Sequence, residues 1–89
     1  MSRFSRSPGI NETPVEDELF LIAVDSGDIY HLDQLAMSIW RALKEPASQA
    51  ELQALFSQVF PDTPPATIEQ DLIKALETLR SDALIAHDD

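Results

Sequence analysis

The chain contains no cysteine, which excludes a disulfide framework and any thiolate-held metal. It has only two glycines, Gly9 and Gly27, so a glycine-rich phosphate loop cannot be built. No apolar stretch approaches the roughly 18 residues that a membrane span needs. The first ten residues carry arginines but no apolar run, so they do not read as a secretory signal. The expectation from these absences is a cytoplasmic protein with no membrane partner.

Positive charge is also scarce. Six Lys and Arg face sixteen Asp and Glu, for a net charge of −10. No Lys or Arg occurs between Arg6 and Arg41, and Glu12, Glu16, Asp17, Glu18, Asp25, Asp28 and Asp33 all fall in that gap. A field of this sign repels phosphate backbones and attracts basic surfaces, so nucleic acid is not the expected partner. A catalytic constellation is missing too. His31 and His87 are the only histidines. His31 beside Asp33 could act as an oriented base, but it reads first as a strand residue next to a helix cap. The acids follow no metal-ligand spacing. No catalytic residue, metal or cofactor is expected, and the chain does not read as an enzyme.

What the chain does have is a clear order of elements. At 89 residues it has room for one domain. Residues 1–9 are rich in Ser and Arg and end in Pro8-Gly9, which reads as a mobile tail. Ile10 to Val15 reads as an edge strand, restricted to an edge or a strand end by Pro14. Glu18 to Val24 is the clearest strand, with Leu19 to Val24 a continuous apolar run. Asp25 to Asp28 is a turn, and Ile29 to Leu32 returns as the partner strand.

Three helices follow. Asp33 is a good N-cap for the first, whose stripe is Leu35, Ala36, Ile39, Trp40 and Leu43. Pro46 ends it. Ser48 with Glu51 forms a capping box that opens the second helix, with Leu52, Leu55, Phe56, Val59 and Phe60 as its stripe. Pro61 to Pro65 break the chain again. The third helix opens with Thr63 or Thr67 as cap and carries Ile68, Leu72, Ala75, Leu76 and Leu79. Ala83 to Ala86 add a terminal strand, before an acidic end at residues 87–89.

This order predicts an α+β fold of the winged helix-turn-helix kind: an N-terminal three-stranded antiparallel sheet packed on three helices, with a short C-terminal strand. The folded domain is expected over residues 10–86. In the central strand, Phe20, Ile22 and Val24 are expected to face the helices. Leu19, Leu21 and Ala23 would then need cover from the N-terminal segment, a second copy in a homodimer, or a bound partner. The third helix carries Glu69, Asp71, Lys74, Glu77 and Arg80 and lacks the basic and amide cluster that reads bases. The open edge of the hairpin is the feature suited to binding, because an extended peptide can complete it as an added strand.

The run from Tyr30 to Ile85 resembles the PqqD-like family of peptide chaperones, also called RiPP recognition elements. Four pieces carry the resemblance: Leu32-Asp33 at a strand end, Ala36 to Trp40, Pro46 to Leu52, and Asp71 to Ile85. Asp33 stands where the family usually has Asn, Lys44-Glu45 where Asp-Gly is frequent, and Asp82-Ala83 where a Gly often precedes the terminal strand. The resemblance implies a non-catalytic adaptor that binds the leader of a ribosomally made precursor peptide and presents it to a modifying enzyme, often a radical SAM enzyme. It implies a peptide groove formed by Asp28, Ile29, Tyr30, His31 and Leu32 on one side and Asp71, Leu72, Ala75 and Leu79 on the other. The departures bear on a role in pyrroloquinoline quinone synthesis specifically. The alternatives are a winged-helix DNA-binding regulator and a domain that docks on a partner enzyme.

Overall fold

The computed structural model describes residues 2–88. Strand β1 (Arg3–Arg6) is followed by β2 (Ile10–Val15), β3 (Glu18–Ala23) and β4 (Ile29–Leu32). Helices α1 (Gln34–Ala42), α2 (Gln49–Val59) and α3 (Pro65–Ser81) come next, and β5 (Ile85–Asp88) ends the described chain. The expected antiparallel sheet is present, in the order β2-β3-β4, and a second sheet pairs β1 with β5.

The second sheet corrects the reading of residues 1–9 as a mobile tail. Arg3 to Arg6 pair antiparallel with Ile85 to Asp88, and Phe4 is only 7% exposed. The Phe4 ring stacks on His87 at a centroid distance of 4.2 Å. Its N–H donates to the Ala47 carbonyl at 2.7 Å, and Ala47 N–H returns a bond to the Phe4 carbonyl at 3.0 Å. The folded unit therefore starts before residue 10, and His87 and Asp88 belong to a strand, not to a loose acidic end. Met1 of the expected tail and Asp89 of the expected acidic end lie outside the described residues. The terminal strand also starts later than residue 83. Ala83, at φ 59, is spent closing α3.

The phase of the central strand is the reverse of the expected one. Leu19 and Leu21 are 2% and 0% exposed and join the helical core, whereas Val24 is 57% exposed and Phe20 and Ile22 are half-buried on the far face. An unbroken apolar run has no period of its own, so its phase is set by its neighbours. Here Leu32 pairs with Leu19 and Tyr30 with Leu21, and all four point at the helices. The N-terminal strand pairs with β5 and is not a member of this sheet.

The helix caps follow the chemistry of their residues. Asp33 Oδ1 accepts from Ala36 N–H at 2.8 Å, and the Ser48–Glu51 capping box is complete. The start of α3 departs from expectation. Pro64 takes the N-cap position and neither Thr63 nor Thr67 caps with its side chain. A proline in the first turn has no N–H to satisfy and a φ already suited to the helix. In α2, Leu52 and Phe56 are buried, but Leu55 and Val59 are 41% and 53% exposed, so its apolar stripe is wider than the surface that α3 covers. Trp40, Ile39, Leu43, Leu72, Leu76 and Leu84 belong to the same core, with Ile68, Leu79 and Ile85.

Candidate functional site

The two edges of the three-stranded sheet are not equivalent. Ala23 N–H donates to the Asp28 carbonyl, and Val24 N–H to the Gly9 carbonyl, both at 2.9 Å. Antiparallel ladders alternate bonded and non-bonded pairs. Together with the register, this directs the main-chain groups of Tyr30 and Leu32 inward to β3. Those of Ile29 and His31 then point out of the sheet. On the opposite edge the outward positions are Ile10, Glu12 and Pro14, and Pro14 has no donor, as a guarded edge requires. Only the β4 edge offers alternating donors and acceptors without a proline.

That edge faces a groove against α3, with a volume of about 590 Å³. Tyr30, Leu32, Leu35, Ala75, Leu79 and Leu84 supply its apolar lining, and Asp33, Asp71, Lys74, Thr78 and Asp82 its polar one. Seven of the residues named from the sequence line it: Ile29, Tyr30, His31, Leu32, Asp71, Ala75 and Leu79. Two do not. Leu72 is 0% exposed and belongs to the core; it lies within one turn of Ala75 on α3 but is covered too fully to reach the groove. Asp28 stands in the turn before β4 and does not line the groove.

Lys74, Thr78 and Asp82 were missed, although their signal was present. They extend Asp71, Ala75 and Leu79 along one helical face at spacings of three and four. Leu35, Ala36 and Leu84 could not be recovered this way, since they come from other elements. Partial burial, then the carboxylates of Asp28 and Asp82, raise the pKa of the Tyr30 phenol above its usual value. This end of the groove is therefore acidic, with a neutral hydroxyl within it.

His31 does not pair with Asp33. Its Nε2 lies 3.3 Å from Glu18 Oε1 and its ring is 5.0 Å from that of Phe20, on the face of the sheet away from the helices. Among the described residues there is no group of three His, Cys, Asp or Glu placed to hold a metal. Among the described residues no helix is long and apolar enough to cross a membrane.

No curated protein matches the chain. A solved structure described as TbiB1 in complex with the TbiA(beta) leader peptide shares its fold, with a TM-score of 0.80 at 23% identity, covering 91% of this chain and 93% of that one. The family model described as coenzyme PQQ synthesis protein D (PqqD) matches residues 18–85. That span runs from the first residue of β3 to the first of β5 and includes both walls of the groove, so the chain belongs to the PqqD family.

Proposed function

We propose that this chain is a non-catalytic peptide adaptor, which binds the leader segment of a precursor peptide as an added strand on β4 and presents it to a modifying enzyme. The carrying observation is the pairing of an unguarded β edge with a groove beside it. Ile29 and His31 supply outward main-chain groups, and the apolar lining from Tyr30 to Leu84 takes alternate side chains of the incoming strand. The solved relative was determined with a leader peptide bound, which supports the same class of client here. The groove residues are Ile29, Tyr30, His31, Leu32, Asp71, Ala75 and Leu79, joined by Lys74, Thr78 and Asp82. Asp71 and Asp82 outnumber Lys74 there, which favours a client with Lys or Arg near its apolar positions. A radical SAM enzyme is one class of partner that would receive the bound peptide, and the cytoplasm is the compartment where peptide and enzyme would meet.

The test is His31→Pro. His31 N–H takes no part in the ladder to β3, so the variant keeps its fold while losing one outward donor. Peptides selected from a random display library on the native chain should bind it at least about tenfold more weakly, as expected for a lost main-chain bond together with a ring clash at the edge. Unchanged affinity in a folded His31→Pro variant rules out strand addition at β4.

A further inference from the structure

The α3 wall of the groove carries charges in a fixed order. Asp71, Lys74 and Asp82 line it, and helical geometry places them within about 80° of one another around α3. Asp71 also borders the space beside Gln34 and Leu35 at the start of α1, so it stands at the Leu32 end of β4. Asp82 stands at the other end, close enough to Tyr30 for its charge to act on the phenol. Lys74 lies between them and is the only Lys or Arg in the groove lining. All three side chains belong to exposed residues. Among the described residues, no ion pair within the chain takes up any of them. From the Leu32 end toward Ile29 the wall is therefore negative, positive, negative.

We infer that this order of charges sets the register of the client peptide, which carries a basic, an acidic and a basic residue in that sequence on the side facing α3. The inference rests on the peptide-binding reading above and deepens it. Backbone pairing alone leaves the register open, since a slip of two residues keeps the same set of side chains in the groove. Charges of alternating sign remove that freedom. A slip of two brings the acidic residue against Asp71, and like charges in contact penalise the wrong alignment. The spacing follows from the two backbones. α3 passes from the Leu32 end to the Tyr30 end, and a strand added antiparallel to β4, as every pair in this sheet is, runs the same way. Along the helix axis Lys74 lies about 4.5 Å beyond Asp71, and Asp82 about 16 Å beyond it. A strand advances about 3.4 Å per residue, with alternate side chains facing the groove. The acidic residue therefore follows the first basic one by about two positions, and the second basic one stands about four to six positions after the first.

The probe is a peptide taken from random display selection on the full native chain, titrated by calorimetry against that chain and against Asp71→Lys, Lys74→Glu and Asp82→Lys. Circular dichroism checks that each variant is folded. Reversing the first basic residue of the peptide should weaken binding about fivefold, as for an exposed ion pair turned into a repulsion. Asp71→Lys should do the same to the unaltered peptide, and the two changes together should restore most of the affinity. Asp82→Lys should rescue reversal of the second basic residue and not of the first, and Lys74→Glu should rescue only reversal of the acidic one. Each loss should shrink in about 1 M salt, where screening is strong. Selected peptides without this order of charges overturn the inference, and so does rescue that does not follow position. If binding ignores His31→Pro, strand addition falls and the register falls with it. If His31→Pro abolishes binding while the charge reversals leave affinity unchanged, only the charge order is lost.

Discussion

Trp40 and Glu12, 28 residues apart in the chain, meet through a bond from the indole Nε1–H to Glu12 Oε1 at 2.7 Å. The same oxygen accepts from Arg6 Nη1 at 2.7 Å. Arg6 in turn donates from Nε and Nη2 to the Trp40 carbonyl, at 3.0 and 2.7 Å, and its guanidinium lies 4.5 Å from the centroid of the Trp40 ring. One carboxylate thus ties β1, β2 and α1 together. It also gives a polar partner to an indole only 1% exposed, which would otherwise bury an unsatisfied donor.

Glu12→Ala should lower stability by about 2 kcal/mol, because it leaves the indole N–H without an acceptor and Arg6 without its counter-charge. Glu12→Gln keeps a carbonyl oxygen in place and should cost less than half as much. Urea denaturation followed by Trp fluorescence measures both. A Glu12→Ala midpoint equal to that of the native chain would show that water replaces the carboxylate without loss.

Ala83→Gly should stabilise the fold by about 1 kcal/mol. Ala83 closes α3 with φ 59, its N–H donating to the Arg80 carbonyl at 3.0 Å and Leu84 N–H to the Leu79 carbonyl at 2.9 Å. This is a Schellman ending, whose left-handed residue is usually Gly because a side chain is strained there. The gain is the relief of that strain less the larger backbone entropy that Gly has in the unfolded chain. A rise in Tm is the expected readout.

Tyr30→Pro and His31→Pro should differ sharply although they are neighbours. Tyr30 N–H belongs to the ladder with Leu21, so its removal leaves a buried carbonyl unpaired and costs about 2 kcal/mol or more. His31 N–H points away from the sheet, so His31→Pro should leave the urea midpoint close to native. Greater destabilisation by His31→Pro than by Tyr30→Pro would show that the ladder phase is opposite to that described.

Glu51 should make stability fall in acid. Bonds from the Ser48 backbone N–H and then from the Ser48 side chain hold its carboxyl below the usual range, with Arg3 adding to the effect against a small burial penalty. A depressed folded-state pKa contributes stability above the unfolded-state value, and the contribution is lost as pH falls through the folded one. Glu51→Gln should therefore lower Tm at neutral pH, with the gap to the native chain closing under acid conditions. Melting curves across that range check the sign, and a gap that widens in acid would contradict it.

The local chemistry of this sequence determined much of the fold before any partner was known. Asp33 and the Ser48–Glu51 pair mark helix starts because a side chain can satisfy free N–H groups a few residues away. Asp25 to Asp28 mark the hairpin because turn residues act over the same short range, and Pro14 marks an edge because it lacks a donor. These signals place β2 to β4 and all three helices in order, and with them most of the groove. Tertiary structure alone decided the rest. The role of Arg3 to Arg6 depends on β5, at the far end of the chain; the phase of Leu19 to Val24 depends on which neighbours claim each face; and Leu72 is core while Ala75 lines the groove because of where β4 and Leu35 lie in space. Each of these is fixed by contacts between residues distant in sequence, which leave no period or cap behind in the residues themselves.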